Sequence, residues 1–73
     1  MTLREEIIML AEELARLQER KPDAVVRRCG FSAYGYRRLV EGRDFRDSTG
    51  QKMRKELLNR WPLGLPLPKG IER

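Results

Sequence analysis

Residues 24–42 read AVVRRCGFSAYGYRRLVEG, and the three glycines in this stretch decide how the chain divides into helices. Ala24, Val25 and Val26 supply apolar surface, and Arg27 and Arg28 sit where a helix C-terminus favours cations. Gly30 can then take the left-handed conformation that closes a short helix ending at Cys29. Phe31 can anchor the turn in a core. Ser32 is a good N-cap, so a second short helix is expected to run through Val40, with Gly42 as its stop. Gly35 falls inside that helix, where glycine costs roughly 1 kcal/mol relative to alanine. The missing side chain points to a close approach of this backbone to a neighbouring helix or to a ligand, or to a helix that starts later, after a looser turn.

Upstream, Thr2 and Glu5 have capping-box spacing, which predicts a helix start. From there Leu3, Ile7, Leu10, Leu14 and Leu17 alternate steps of four and three, widened by Ile8, Ala11 and Ala15, while five glutamates populate the other faces. The stripe is expected to cover the core, with a dimer seam as the sharper alternative. Lys21-Pro22-Asp23 punctuates, because proline disfavours helix in the residue before it and suits the first turn of the next. Downstream, Arg43 to Asp47 reads as a loop with Phe45 turned inward. Ser48 and Gln51 repeat the capping-box spacing, and Met53, Leu57, Leu58 and Trp61 recur at helical intervals until Pro62, predicting a fourth helix over roughly 49–61. The remaining WPLGLPLPKGIER is incompatible with a long helix or a central strand. The expected fold is therefore all-α, with four short helices over residues 1–61 and an extended Pro/Leu-rich tail over 62–73 that packs along the domain or against a partner.

With 73 residues the chain is one small domain, and most large apolar side chains must be committed to packing. The single Cys29 excludes an intramolecular disulfide, and the lack of histidine argues against a zinc finger. No metal or other cofactor is expected. There is no apolar run long enough for a membrane span and no secretory pattern, so a soluble protein of a reducing, cytoplasmic compartment is expected, with no membrane partner. Without histidine, a glycine-rich phosphate loop or a convergent carboxylate pair, an enzyme is not expected. The net charge of +5 is unevenly spread. Residues 1–26 carry four basic against six acidic side chains, whereas residues 27–60 carry ten against four. A local basic excess of this kind is the electrostatic footprint of a phosphate-neutralising module.

A short helix, a glycine turn, an apolar residue and a serine opening a second short helix is the sequence shape of a helix-turn-helix. Counted from Gly30, the positions that want a small residue four before, and apolar residues one, six and nine after, hold Val26, Phe31, Tyr36 and Leu39. Val26 and Tyr36 are larger than usual there, so the crossing is expected to be looser or shifted. With one helix before the motif and one after the loop, the order over roughly residues 3–61 resembles the lambda repressor and Cro-like class of phage repressors. That resemblance implies a dimeric transcriptional regulator that binds double-stranded DNA at a partly palindromic operator, with the third helix in the major groove.

If Tyr36 and Leu39 face the core, helical spacing turns Ser32, Ala33, Tyr34, Arg37 and Arg38 toward the groove. Arg37 and Arg38 are the best candidates for base reading, since a guanidinium can bond both acceptors of a guanine edge. Tyr34 can bond a phosphate or pack on a thymine methyl, or simply be a half-buried surface aromatic. Arg27, Arg28, Arg43, Arg46, Lys52 and Lys55 are candidates for gripping phosphate. Ser48 and Thr49, with Gly50, are either a second anion-friendly helix end or an ordinary cap. The dimer is expected to form through the first helix or, preferably, through the tail. Two other functions fit the same residues: a DNA-packaging subunit of the small terminase kind, and a protein-binding inhibitor or adaptor.

Overall fold

The computed structural model describes residues 1–72. Its four helices are α1 (Leu3–Gln18), α2 (Pro22–Arg28), α3 (Ala33–Val40) and α4 (Asp47–Asn59), with no strand among the described residues. The protein is all-helical, as the periodicities require. Among the described residues, no helix is long and apolar enough to cross a membrane.

Each boundary follows from local chemistry. The Thr2 hydroxyl accepts from the Glu5 N–H at 3.2 Å while the Glu5 carboxylate accepts from the Thr2 N–H at 3.1 Å, closing the capping box of α1. The same Thr2 N–H holds the Glu5 carboxyl below the usual range. Pro22 occupies the first turn of α2. Gly30 and Gly42, at φ +93° and +87°, end α2 and α3 in the same way. Gly30 N–H donates to Arg27 and Phe31 N–H to Val26, while Gly42 N–H donates to Leu39 and Arg43 N–H to Arg38, the paired bonds of a Schellman ending. A side chain on Gly30 would meet nothing within 4 Å, so it is the backbone angle, not crowding, that calls for glycine there.

Helix α4 begins earlier than its sequence suggests. Arg46 is its N-cap and makes no side-chain capping bond, so Ser48 and Thr49 lie within the first turn and the Ser48–Gln51 box does not form. The helix ends at Asn59, with Arg60 as its cap, two residues before the position expected from the Trp61 spacing. Nor is the Gly50 amide open: it donates to the Arg46 carbonyl at 2.9 Å, and the residue is buried. Gly50 instead faces the preceding loop and α1 at close range. A Cβ there would lie 2.5 Å from the Phe45 ring and 2.9 Å from Leu3 Cδ2.

Helix α1 packs against both α2 and α4, and Ile7, Leu10, Ala11, Leu14 and Ala15 form its inner face. Leu17, expected on that stripe, is instead 46% exposed. The row Leu3, Leu10, Leu17 repeats every seven residues, and a straight helix rotates such a row by ~20° per heptad, carrying its end off the core. Ile7, Leu10 and Leu14 are fully buried within the chain, while Leu3 and Ile8 of the stripe are only partly buried.

The segment after α4 folds back along the domain. Turns at Gly64 and Gly70 bend it, with Leu65 N–H donating to Pro62 and Ile71 N–H to Pro68. Trp61 and Ile71 are buried in the same core as α1 and α4, whereas Leu63 is 91% exposed and Leu65 projects partly. Arg54 ties this strap down, donating to Glu6 of α1 at 3.3 Å and to the Glu72 carbonyl. The Trp61 indole N–H is buried with no acceptor among the described residues, a cost on the order of 1–3 kcal/mol that burial of its ring must offset.

Gly35 and Gly50 therefore answer differently to alanine. At Gly35 the added Cβ meets only Ser32 Oγ, at 3.1 Å, so no neighbouring helix approaches it. Gly35→Ala is expected to leave stability within about 1 kcal/mol of wild type, since the gain in helix propensity offsets slight crowding of the cap. Gly50→Ala must displace Phe45 and Leu3, and is expected to lower stability by about 1–2 kcal/mol net of that gain. Urea unfolding of the two variants checks the order.

Candidate nucleic-acid interface

Ser32 opens α3 by accepting from the Gly35 N–H at 2.9 Å, so α3 does start where the serine indicates and Gly35 is a true helical residue. Tyr36 and Leu39 are buried against the core, and Val26 of α2 is fully buried beside them. Helical geometry then fixes the outer face. Tyr34, Arg37 and Arg38 are exposed and Ala33 is half-buried. The first N–H groups of α3, beyond the one that Ser32 takes, have no partner within the helix.

These side chains form a graded surface. The Arg38 guanidinium lies over the Tyr34 ring, 5.8 Å from its centroid, so the two act as one amphipathic unit. Arg37 makes no ion pair among the described residues, and Arg43 is engaged by Glu41 at 3.5 Å. Tyr34, Arg37, Arg38, Glu41 and Arg43 line a depression of about 270 Å³ along α3. Arg38 also borders a larger groove of about 460 Å³ between α3 and the start of α4, whose walls include Gly35, Phe45, Arg46 and Thr49. The structure thus brings Arg46 and Thr49 to the side of α3. Ser48 is exposed in the first turn of α4, and Lys52 and Lys55 are exposed farther along it, outside that groove.

Arg4 belongs to this site, although it lies in the acidic first third of the sequence. Its guanidinium sits 5.1 Å from the Phe45 ring centroid and donates to the Leu39 carbonyl at the end of α3. A cation there complements the helix dipole and fixes the α3–α4 loop. No local pattern marks Arg4 for this role, because its partners are 35 and 41 residues away.

Arg27 and Arg28, expected to flank α3, instead border a different surface. With Arg20 and Ala24 they line a depression at the end of α1 and along α2. Arg28 and Arg20 recur in an adjoining one with Gln18, Val25 and Arg60. Arg60 donates to the Arg28 carbonyl at 3.0 Å, closing the C-terminus of α2. Cys29, beside that end, is buried. Burial pushes its thiol up in pKa, opposed by the nearby Arg60 cation.

No family model matches the chain, nor does any curated protein or any solved structure.

The anchor of α3 has a measurable pH signature. Burial first, then the negative charges of Glu12 and Asp23, push the Tyr36 hydroxyl up to about 12 from 10.0. A raised pKa means that the folded state holds this proton more tightly. The associated stability is complete below the unfolded value and is lost as pH rises through the folded one. Wild-type stability is expected to fall by on the order of 2 kcal/mol between about pH 10 and pH 12, beyond any change in Tyr36→Phe, which keeps the ring and has no proton to lose. Urea midpoints of the two proteins across that range measure the difference.

Proposed function

We propose that the protein is a sequence-specific double-stranded DNA-binding transcriptional regulator that acts as a dimer on a partly palindromic operator. The observation that carries this reading is the outer face of α3. Arg37 and Arg38 stand exposed with no carboxylate partner, on a short helix whose opposite face is pinned by Tyr36 and Leu39. A rigid helix with two unneutralised guanidinium groups can enter a major groove and bond guanine edges, and Tyr34, under Arg38, adds a flat apolar surface of the kind that meets a thymine methyl. Arg46 and Thr49, at the start of α4, and Arg43, which pairs with Glu41, line the grooves beside it and would hold backbone phosphates there. Support also comes from the resemblance in element order to the phage repressor class.

Dimerisation follows from size. Eight residues of α3 span only ~12 Å and reach a few base pairs, whereas an operator is read by two such helices one turn of duplex apart. With most of the α1 stripe, Trp61 and Ile71 folded inward, exposed apolar groups available for a twofold contact include Leu17 at the end of α1 and Leu63 and Leu65 on the returning segment.

Selection of bound sequences from a random duplex pool tests the reading. Recovery of an inverted repeat is expected; recovery of no common sequence would refute it. On the selected site, Arg37→Ala is expected to cost about 1–3 kcal/mol and to relax preference at one position. Equal losses on every duplex would reassign Arg37 to phosphate.

A further inference from the structure

The arginines of this chain sort into two populations. Arg16, Arg43 and Arg54 each pair with a carboxylate, Glu13, Glu41 and Glu6 respectively. Among the described residues the others have no ion pair, and apart from Arg4 they fall on two separate surfaces. One is the α3 face with Arg37, Arg38 and Arg46. The other gathers Arg20 from the end of α1, Arg27 and Arg28 from the end of α2, and Arg60 from the end of α4 around two adjoining depressions that share no lining residue with the α3 grooves. Four uncompensated cations at the meeting point of three helix ends repel one another, and folding brings them together from positions 20 to 60 of the sequence. Arg60 is also pre-ordered: its bond to the Arg28 carbonyl and its position beside the Cys29 thiol hold the guanidinium in place.

We propose that Arg20, Arg27, Arg28 and Arg60 form a second phosphate site, distinct from the α3 face, that grips the sugar-phosphate backbone of duplex DNA without reading its sequence. The ligand chemistry is a run of phosphates at the spacing of a nucleic-acid strand, which forked guanidinium groups bond with two parallel donors. Arginine suits this better than lysine, and the cluster itself contains no lysine. Two sources can supply such a run: the flank of the duplex held by α3, or a second duplex. The long dimension of the domain, 33 Å, is close to one turn of B-DNA, 34–36 Å, so one copy is long enough to touch both a half-site and its flank. The proposal rests on duplex DNA being the ligand, but not on α3 reading bases.

The test is a salt titration of the full chain carrying Arg20→Gln, Arg27→Gln and Arg28→Gln together, with Arg60 kept because its bond to the backbone also supports α2. Thermal melting by circular dichroism verifies folding. A control, Arg16→Gln with Lys69→Gln, removes two exposed charges elsewhere. Each lost phosphate contact lowers the slope of log K against log salt by ~0.9, so the triple variant is expected to lose about 2–3 from its slope on a long duplex, and the control less than half a unit. If the flank is the source, the loss disappears on a duplex trimmed to the half-sites. If a second duplex is the source, one-duplex slopes stay unchanged, and the triple variant alone fails to pull a labelled duplex onto an immobilised one. Wild-type slope together with wild-type bridging in the triple variant overturns the proposal. Because the triple variant should still select the wild-type sequence, failure of this site is separable from failure of base reading, which would appear as binding by wild type with no sequence preference.

Discussion

The Phe45 ring occupies the space that a side chain on Gly50 would need, and much of the domain is arranged around that contact. Because Gly50 presents bare backbone, Leu3 of α1 also reaches it, and the starts of α1 and α4 close together. Farther along the same pair, Glu6 meets Arg54, which in turn holds the carbonyl of Glu72. Phe45, fixed on one side, offers its other face to Arg4, whose guanidinium continues to the Leu39 carbonyl. At Gly50, therefore, α1, the α3–α4 loop and the start of α4 meet, and through Arg4 the contact adjoins the end of α3. A side chain at Gly50 would push the Phe45 ring toward the neighbouring groove and Leu3 away from α4.

Charge is organised by the same packing. Acidic residues dominate α1, yet its Arg4 is drawn to the end of α3, and its Glu6 is spent on Arg54. What remains on the surface is a set of guanidinium groups without carboxylates, divided between the outer face of α3 and the junction of three helix ends. Individually, exposed pairs such as Arg16 with Glu13 add little to stability. The uncompensated groups cost something in self-repulsion, which is a physical reason to look for an anionic partner at both places.

The four helices were legible because each carries its own local signals. Thr2 with Glu5, Pro22, Ser32, and the glycines at 30 and 42 are cap chemistry that acts within a few residues. The inner face of α3 was legible too, since Tyr36 and Leu39 lie three apart on one side and everything polar lies on the other. The start of α4 was not. Ser48 and Gln51 have the right spacing, but the helix begins at Asp47, with Phe45 just before it packed on Gly50. Leu17 was misplaced for a different reason, a seven-residue row drifting around a helix of 3.6 residues per turn.

The two glycines inside helices show where sequence reasoning stops. Both break the propensity rule equally, and Gly35, among tyrosines and arginines, drew the suspicion of a close contact. Its added Cβ would meet only its own cap, whereas Gly50, flanked by small polar residues that suggested a helix end, is the buried one. By itself the sequence determined the four helices, the caps of α1 to α3 and a basic second half, because those depend on neighbours a few residues apart. Which glycine carries the close approach, which arginines share a surface and which leucines remain outside were decided only by the tertiary structure, since each depends on residues that come together from distant parts of the chain.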